Sequence, residues 1–258
     1  MLINESVSTP ESVRAPISRR QALTITLIAV VIVFLLWNVA FLSPLAYPFR
    51  LFVTFVHEAG HSVMALLTGG EIVGFTISSN GAGLARTIGG NRALILPAGY
   101  LGAAMFGAVL FYVLNKFPRA RTTAIILGSA LITFTLLYAR PDSAGRPIAL
   151  IVGLLTGGGL VYMGVRARPG LTLLVLNVLA MMTALNAVLD VVLLVRYSDL
   201  VMPTRNGIVR NDAAAFSAEV IGLPASFWAL LWAALAIVMM AASVYYAIIL
   251  PMIRDARK

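Results

Sequence analysis

The chain has 258 residues, 60% of them hydrophobic and 11% charged, with a mean hydropathy of +0.94; an ordinary soluble domain, about a quarter charged, is excluded. The net charge of +9 is scattered singly or in twos and threes between apolar runs, which marks membrane-flanking residues and speaks against a nucleic-acid partner. With no cysteine, disulfides and thiolate ligands are excluded, and any metal must be held by His, Asp or Glu.

At about 20 residues per helical crossing, this length holds six or seven spans and no further domain of ordinary size. Backbone groups in lipid must be satisfied within their own segment, and the apolar runs are long rather than alternating, so the expected fold is an all-α polytopic bundle. Residues 1–20 are polar, contain Pro10 and Pro16, and end in Arg19-Arg20, predicting a flexible tail that stops at the membrane. Residues 21–258 are then one integral membrane domain. Spans are predicted near 22–42, 46–68, 93–115, 122–139, 147–165, 171–195 and 224–250. The first is too long for a signal-peptide core and lacks a small-residue cleavage site after it, so it reads as a retained helix.

After the second span, Ile72, Gly74, Thr76 and Ser78 alternate with Val73, Phe75 and Ile77 before Asn80-Gly81, which predicts a β-hairpin over 71–87. Between the last two spans, Asn211-Asp212 precedes Ala213, Ala214, Phe216, Val220 and Ile221, the pattern of a short interfacial helix. Seven alternating spans place ten Lys/Arg on the side of the N-terminus and nine on the other. The ends conflict: Arg14, Arg19 and Arg20 favour N-inside, whereas Arg254, Arg257 and Lys258 pull inward an end that an odd count puts outside.

The chemistry concentrates in the second span. The chain's two histidines lie four apart in His57-Glu58-Ala59-Gly60-His61, so on a helix both imidazoles share one face, one turn apart, and can ligate one zinc ion. Glu58, rotated about 100° from His57, is suited to reach a metal-bound water as general base. Leu51 to Val56 and Met64 to Leu67 bury the motif at a depth where an ionised side chain costs about 2.5–3.5 kcal/mol on the insertion scale. Metal ligation can offset that cost.

Catalytic zinc takes three protein ligands and one open position, and only a carboxylate can be the third. Asp190 is the expected one. It lies inside the sixth span, six residues before its end as His61 lies eight before its own, so the depths differ by about 3 Å. Asp212 is the alternative, although its place before Ala213-Ala214-Ala215 suits helix capping better. Asn186, one turn before Asp190, is expected to bond a ligand or a substrate carbonyl, or else to join two helices. Gly99, Gly102 and Gly107 in the third span read as packing positions that let backbones approach. The hairpin can serve as a sheet edge that holds a substrate extended, or as a plain connection.

These residues resemble the site-2 protease family of intramembrane zinc metalloproteases, and more closely its compact bacterial M50B-like branch. The likeness rests on Val56-His57-Glu58-Ala59-Gly60-His61-Ser62, the Gly69-Gly70 helix end, the hairpin, Pro97-Ala98-Gly99 and the segment from Asn186 to Asp190. It implies zinc held by His57, His61 and a late aspartate, Glu58 as base, and cleavage of membrane-associated substrates in a cell membrane. Better-known members carry Asn-x-x-Pro and Leu-Asp-Gly around the third ligand, whereas Asp190 is followed by Val191; there is also no room for an inserted PDZ domain. The expected function is a zinc-dependent intramembrane endopeptidase with a polar cavity opening toward the Gly69 and Arg196 face. The alternative is a non-catalytic zinc-binding relative acting through partners, while a metal transporter would need ligands repeated along several helices.

Overall fold

The computed structural model describes residues 19–117, 119–197, 202–204, 207–209 and 211–256, with side chains described over 20–117, 119–186 and 211–254. Residues 1–18 of the expected tail lie outside it. In chain order come α1 (Arg19–Asn38), a 3-10 turn (Ala40–Leu42), α2 (Ser43–Leu67), β1 (Glu71–Ile77), β2 (Gly83–Ile88), α3 (Arg92–Lys116), α4 (Ala120–Tyr138), α5 (Ile148–Arg166) and α6 (Pro169–Tyr197). They are followed by β3 (Met202–Thr204), β4 (Gly207–Val209), α7 (Asp212–Glu219), α8 (Ala225–Val244), a π turn (Tyr245–Ile249) and α9 (Leu250–Ala256). Six described segments are long and apolar enough to cross a membrane: α1, α3, α4, α5, α6 as far as Asn186, and α8 running on through α9 to Arg254. α2, of 25 residues, is the seventh long helix and carries Arg50, His57, Glu58 and His61. The protein is a polytopic helical membrane bundle with a short hairpin after the histidine helix, as the hydropathy pattern predicts.

Small residues decide which helices touch, because in lipid close backbone contact replaces the hydrophobic drive to associate. A Cβ on Gly128 would strike the Gly157 carbonyl, and one on Gly164 the Arg121 carbonyl, so α4 and α5 pack backbone to backbone. Gly60 of α2 faces the Ala98 carbonyl of α3, Gly102 faces the Gly60 Cα, and Gly107 faces the Ala180 carbonyl of α6. Gly102 and Gly107 are the packing positions expected of them.

A polar ladder ties three helices at one level: Thr26 Oγ1 donates to Asn115 Oδ1 at 2.7 Å, and Asn115 Nδ2 donates to Asn177 Oδ1 at 3.0 Å. From there α1 runs with α6, since Ile25 lies at Gly170 and Trp37 Nε1 reaches Met182 Sδ at 3.0 Å. α2 also runs with α6, because Phe49 and Phe52 line one cleft with Val175 and Leu179, and His57 lines another with Asn186. The first two helices therefore rise in the same direction, and the turn at Ala40–Leu42 restarts the chain instead of reversing it. This corrects the expected alternation: Ala22 and Leu23 share one cleft with Asn115, Lys116, Ala247 and Pro251, so both ends of the described bundle lie on one face.

The hairpin pairs Glu71 with Ile88 through Ile77 with Gly83, with an irregularity between Ile72 and Gly74. Gly81, at φ 88°, makes the turn at Asn80-Gly81 possible. Its tip folds back along α2: Tyr47 Oη donates to the Ser79 carbonyl at 2.7 Å and Thr54 Oγ1 to that of Gly81 at 2.9 Å. β1 is anchored by Phe75, fully buried between Phe55 and Phe134 with ring centroids at 4.8 and 5.1 Å, and the Arg140 amide donates to its carbonyl. Aromatic burial thus holds β2 over the face of α2 that carries the motif.

Candidate metal centre

His57 and His61 are one turn apart on α2, and their Nε2 atoms lie 3.1 Å apart. The His61 Nδ1 is 2.7 Å from the Ile95 carbonyl oxygen of α3. A carbonyl only accepts, so Nδ1 carries the proton and Nε2 presents a lone pair to the site. The His57 ring meets Tyr100 edge-on at 4.5 Å between centroids, and Tyr100 stacks on Trp232 of α8. Both rings are therefore oriented from α3.

The third group is Asp212, whose Oδ2 lies 3.1 Å from His57 Nε2 and 3.2 Å from His61 Nε2. The capping role that its sequence context favours belongs to its neighbour. Asn211 takes the extended cap conformation, and its Oδ1 accepts from the Ala214 amide at 2.8 Å. Asp212 is thereby the first residue of α7, released from the backbone to face the histidines. α7 is held by Phe216, which packs edge-on against Trp228 and Trp232, and by an ion pair from Arg92 to Glu219 at 2.7 Å. Asp190 lies on the backbone of α6, but its side chain is outside the described residues. Among the described residues, His57, His61 and Asp212 form the one cluster fit for a metal.

The donor triangle has the size a metal needs. Tetrahedral zinc with N and O ligands at about 2.0–2.1 Å spaces those ligands by roughly 3.3 Å, against 3.1, 3.1 and 3.2 Å here. Two imidazoles and a carboxylate are also a donor set of catalytic zinc. A second observation is the space above the triangle: a Cβ built on Gly99 would fall against both Nε2 atoms. Gly99, read from the sequence as a packing residue, keeps the ligand face open. Gly99→Ala is expected to leave a folded protein whose bound metal falls at least tenfold, read by elemental analysis, while Gly158→Ala, where a Cβ meets nothing within 4 Å, leaves it unchanged.

Glu58 is buried, with Oε2 accepting from the Ala85 amide of β2 at 2.7 Å. A Cβ on Gly83 would collide with the Glu58 side chain and with Thr54. Gly83 is the gap through which the carboxylate reaches the strand. Beside it lies a cleft of about 160 Å³ bordered by Thr54, His57, Gly83, Tyr100 and Asn186, among others. The cleft borders the metal site, with Asn186 on its wall; the side chain of Arg196, toward which the expected cavity opens, lies outside the described residues. The roles of Gly83, Tyr100 and the Ala85 amide are not foreshadowed by any sequence pattern. Only the Asn211-Asp212 pair carries a signal, since a residue able to cap stands directly before the aspartate.

Residues 26–243 match the family model described as Peptidase M50B-like. Neither the curated proteins nor the solved structures give a significant match to the chain.

Proposed function

The chain belongs to the Peptidase M50B-like family, that of the site-2 proteases, and from that premise we propose that it is a zinc-dependent endopeptidase cutting membrane-associated proteins. The observation that carries this reading is the closure of His57, His61 and Asp212 into one ligand triangle beside a buried glutamate and a cleft. His57, His61 and Asp212 would hold the metal. Zinc there would supply a Lewis acid for a peptide carbonyl and lower the pKa of a bound water to about 7.

The protein's own groups divide the remaining work. Glu58 is the general base: Oε2 is pinned by the Ala85 amide, leaving Oε1 to take a proton from the attacking water and return it to the leaving amine. Tyr100 and the Ile95 carbonyl set the histidine rings. The Asn186 amide, on the cleft wall, would donate to the oxygen of the scissile carbonyl. At the β2 edge beside α2 the Ala85 amide is taken by Glu58, so there the hairpin serves to orient the base.

The test is cleavage in proteoliposomes of the zinc-loaded protein with a library of single-span peptides, new termini being read by mass spectrometry. Cuts within or beside the span that vanish with chelator support the proposal. Full zinc loading with no cut in any member would instead favour a zinc-binding protein that acts through partners.

A further inference from the structure

The candidate third ligand is delivered by a short helix. α7 has eight residues and one large apolar side chain, Phe216; the rest of its packed face is Ala213, Ala214 and Ala215. A helix of that length holds its shape only when docked, and alanines form shallow ridges that weakly specify position along a neighbour. Phe216 fixes the middle of α7 against Trp228 and Trp232 of α8. The two ends can still swing about it.

α7 runs antiparallel along α3, and the two helices are in register over the site. Glu219 stands at Arg92; seven residues before Glu219, Asp212 meets the histidines at the level of Gly99, seven residues after Arg92. Seven residues rise about 10.5 Å on either helix, so the ion pair at one end matches the ligand contact at the other. α3 is itself fixed to the histidine helix: the Asn91 amide donates to Thr68 Oγ1 at 3.0 Å, and the Ile95 carbonyl holds His61. The charges are placed for this contact and against their own helices. Arg92 is the first residue of α3 and Glu219 the last of α7, where each opposes its own helix dipole and lies at the end of the neighbour that favours it. Arg92 Nε and Nη2 both donate to Glu219 Oε2, at 2.8 and 2.7 Å.

We infer that Arg92 and Glu219 are positioning residues of the metal centre: their ion pair sets the tilt of α7 and thereby holds Asp212 at the two histidines. The inference rests on Asp212 being the third ligand, as proposed above. With Phe216 as pivot, Asp212 lies about 6 Å to one side and Glu219 about 4.5 Å to the other, so a swing at the ion pair reaches the carboxylate enlarged by about one-third. Metal–ligand distances tolerate changes of only about 0.2 Å. Releasing the pair therefore weakens metal binding while α7 stays docked. The two side chains are 49% and 42% exposed, so salt screens the pair and zinc affinity follows ionic strength.

The test is the zinc affinity of the detergent-purified full chain, measured by competition with a chromophoric chelator at low and high salt. Arg92→Gln and Glu219→Gln are each expected to weaken zinc about two- to fivefold at low salt, the range of an exposed pair, and the swap R92E/E219R to recover most of the loss. High salt is expected to weaken the parent by a similar factor and to leave both single variants unmoved. Arg146→Gln, which removes the ion pair with Asp142 between α4 and α5, is the control expected to change nothing. Zinc retained by Asp212→Ala would overturn the ligand reading and this inference with it. Zinc lost in Asp212→Ala but held with parental affinity by both glutamine variants, or a swap as weak as they are, would overturn the inference alone.

Discussion

Asp212→Ala is expected to abolish stoichiometric zinc binding in the detergent-purified protein, lowering affinity by more than 100-fold, whereas Asp190→Ala retains it. Three donors spaced by 3.1–3.2 Å could hold one ion; removing one leaves two imidazoles one helical turn apart, an incomplete set for zinc. The removal of a group that merely orients a ligand already costs about 10–100-fold, so a direct ligand must cost more. Elemental analysis of the two variants checks this directly, with thermal unfolding as the control that both are folded. Zinc lost in Asp190→Ala and kept in Asp212→Ala would move the third ligand onto α6 and leave Asp212 as a partner of the histidines alone.

Glu58→Gln is expected to separate metal from chemistry. The amide keeps an oxygen able to accept from the Ala85 amide, now at 2.7 Å from Oε2, and neither histidine nor Asp212 is touched, so the zinc content stays near one per chain. The proton acceptor is gone, and loss of a positioned general base lowers turnover by about 10²- to 10⁴-fold. Cleavage of any substrate found in the proteoliposome library, measured at matched zinc content, decides it. Turnover within threefold of the parent would assign the base to another group; loss of zinc would show Glu58 to be part of the ligand shell. Gly83→Ala is expected to share the kinetic defect, because its Cβ occupies the space of the Glu58 side chain while leaving the ligand triangle alone.

Local rules make much of this protein legible in its sequence. The spacing of His57 and His61 names a metal because four residues bring two side chains onto one helix face. Long apolar runs name spans because lipid cannot satisfy an open backbone, and Asn80-Gly81 between alternating residues names a turn because few pairs adopt its dihedrals. α7 is visible in the same way, from Asn211 and the residues after it.

The candidate third ligand that the structure brings to the histidines is not, and the Asp190 side chain lies outside the described residues. Depth along α6 makes Asp190 reasonable, and helix-start chemistry favours Asp212 as a cap. Two adjacent side chains can each cap the same helix, and only the folded backbone assigns the cap to Asn211 and so frees Asp212. Gly99 and Gly83 show the same limit, since the meaning of a missing Cβ depends on what approaches from another helix or strand. Membrane topology departs further from expectation: hydropathy counts apolar segments but holds no information on whether a four-residue link reverses the chain. The short connection at Ala40–Leu42 lets α1 and α2 run together along α6. Residue types and short-range spacing thus determined the chemistry and the number of long helices. Among the described residues, long-range packing decided which carboxylate meets the histidines and which way α1 and α2 run, because both depend on contacts between segments far apart in sequence.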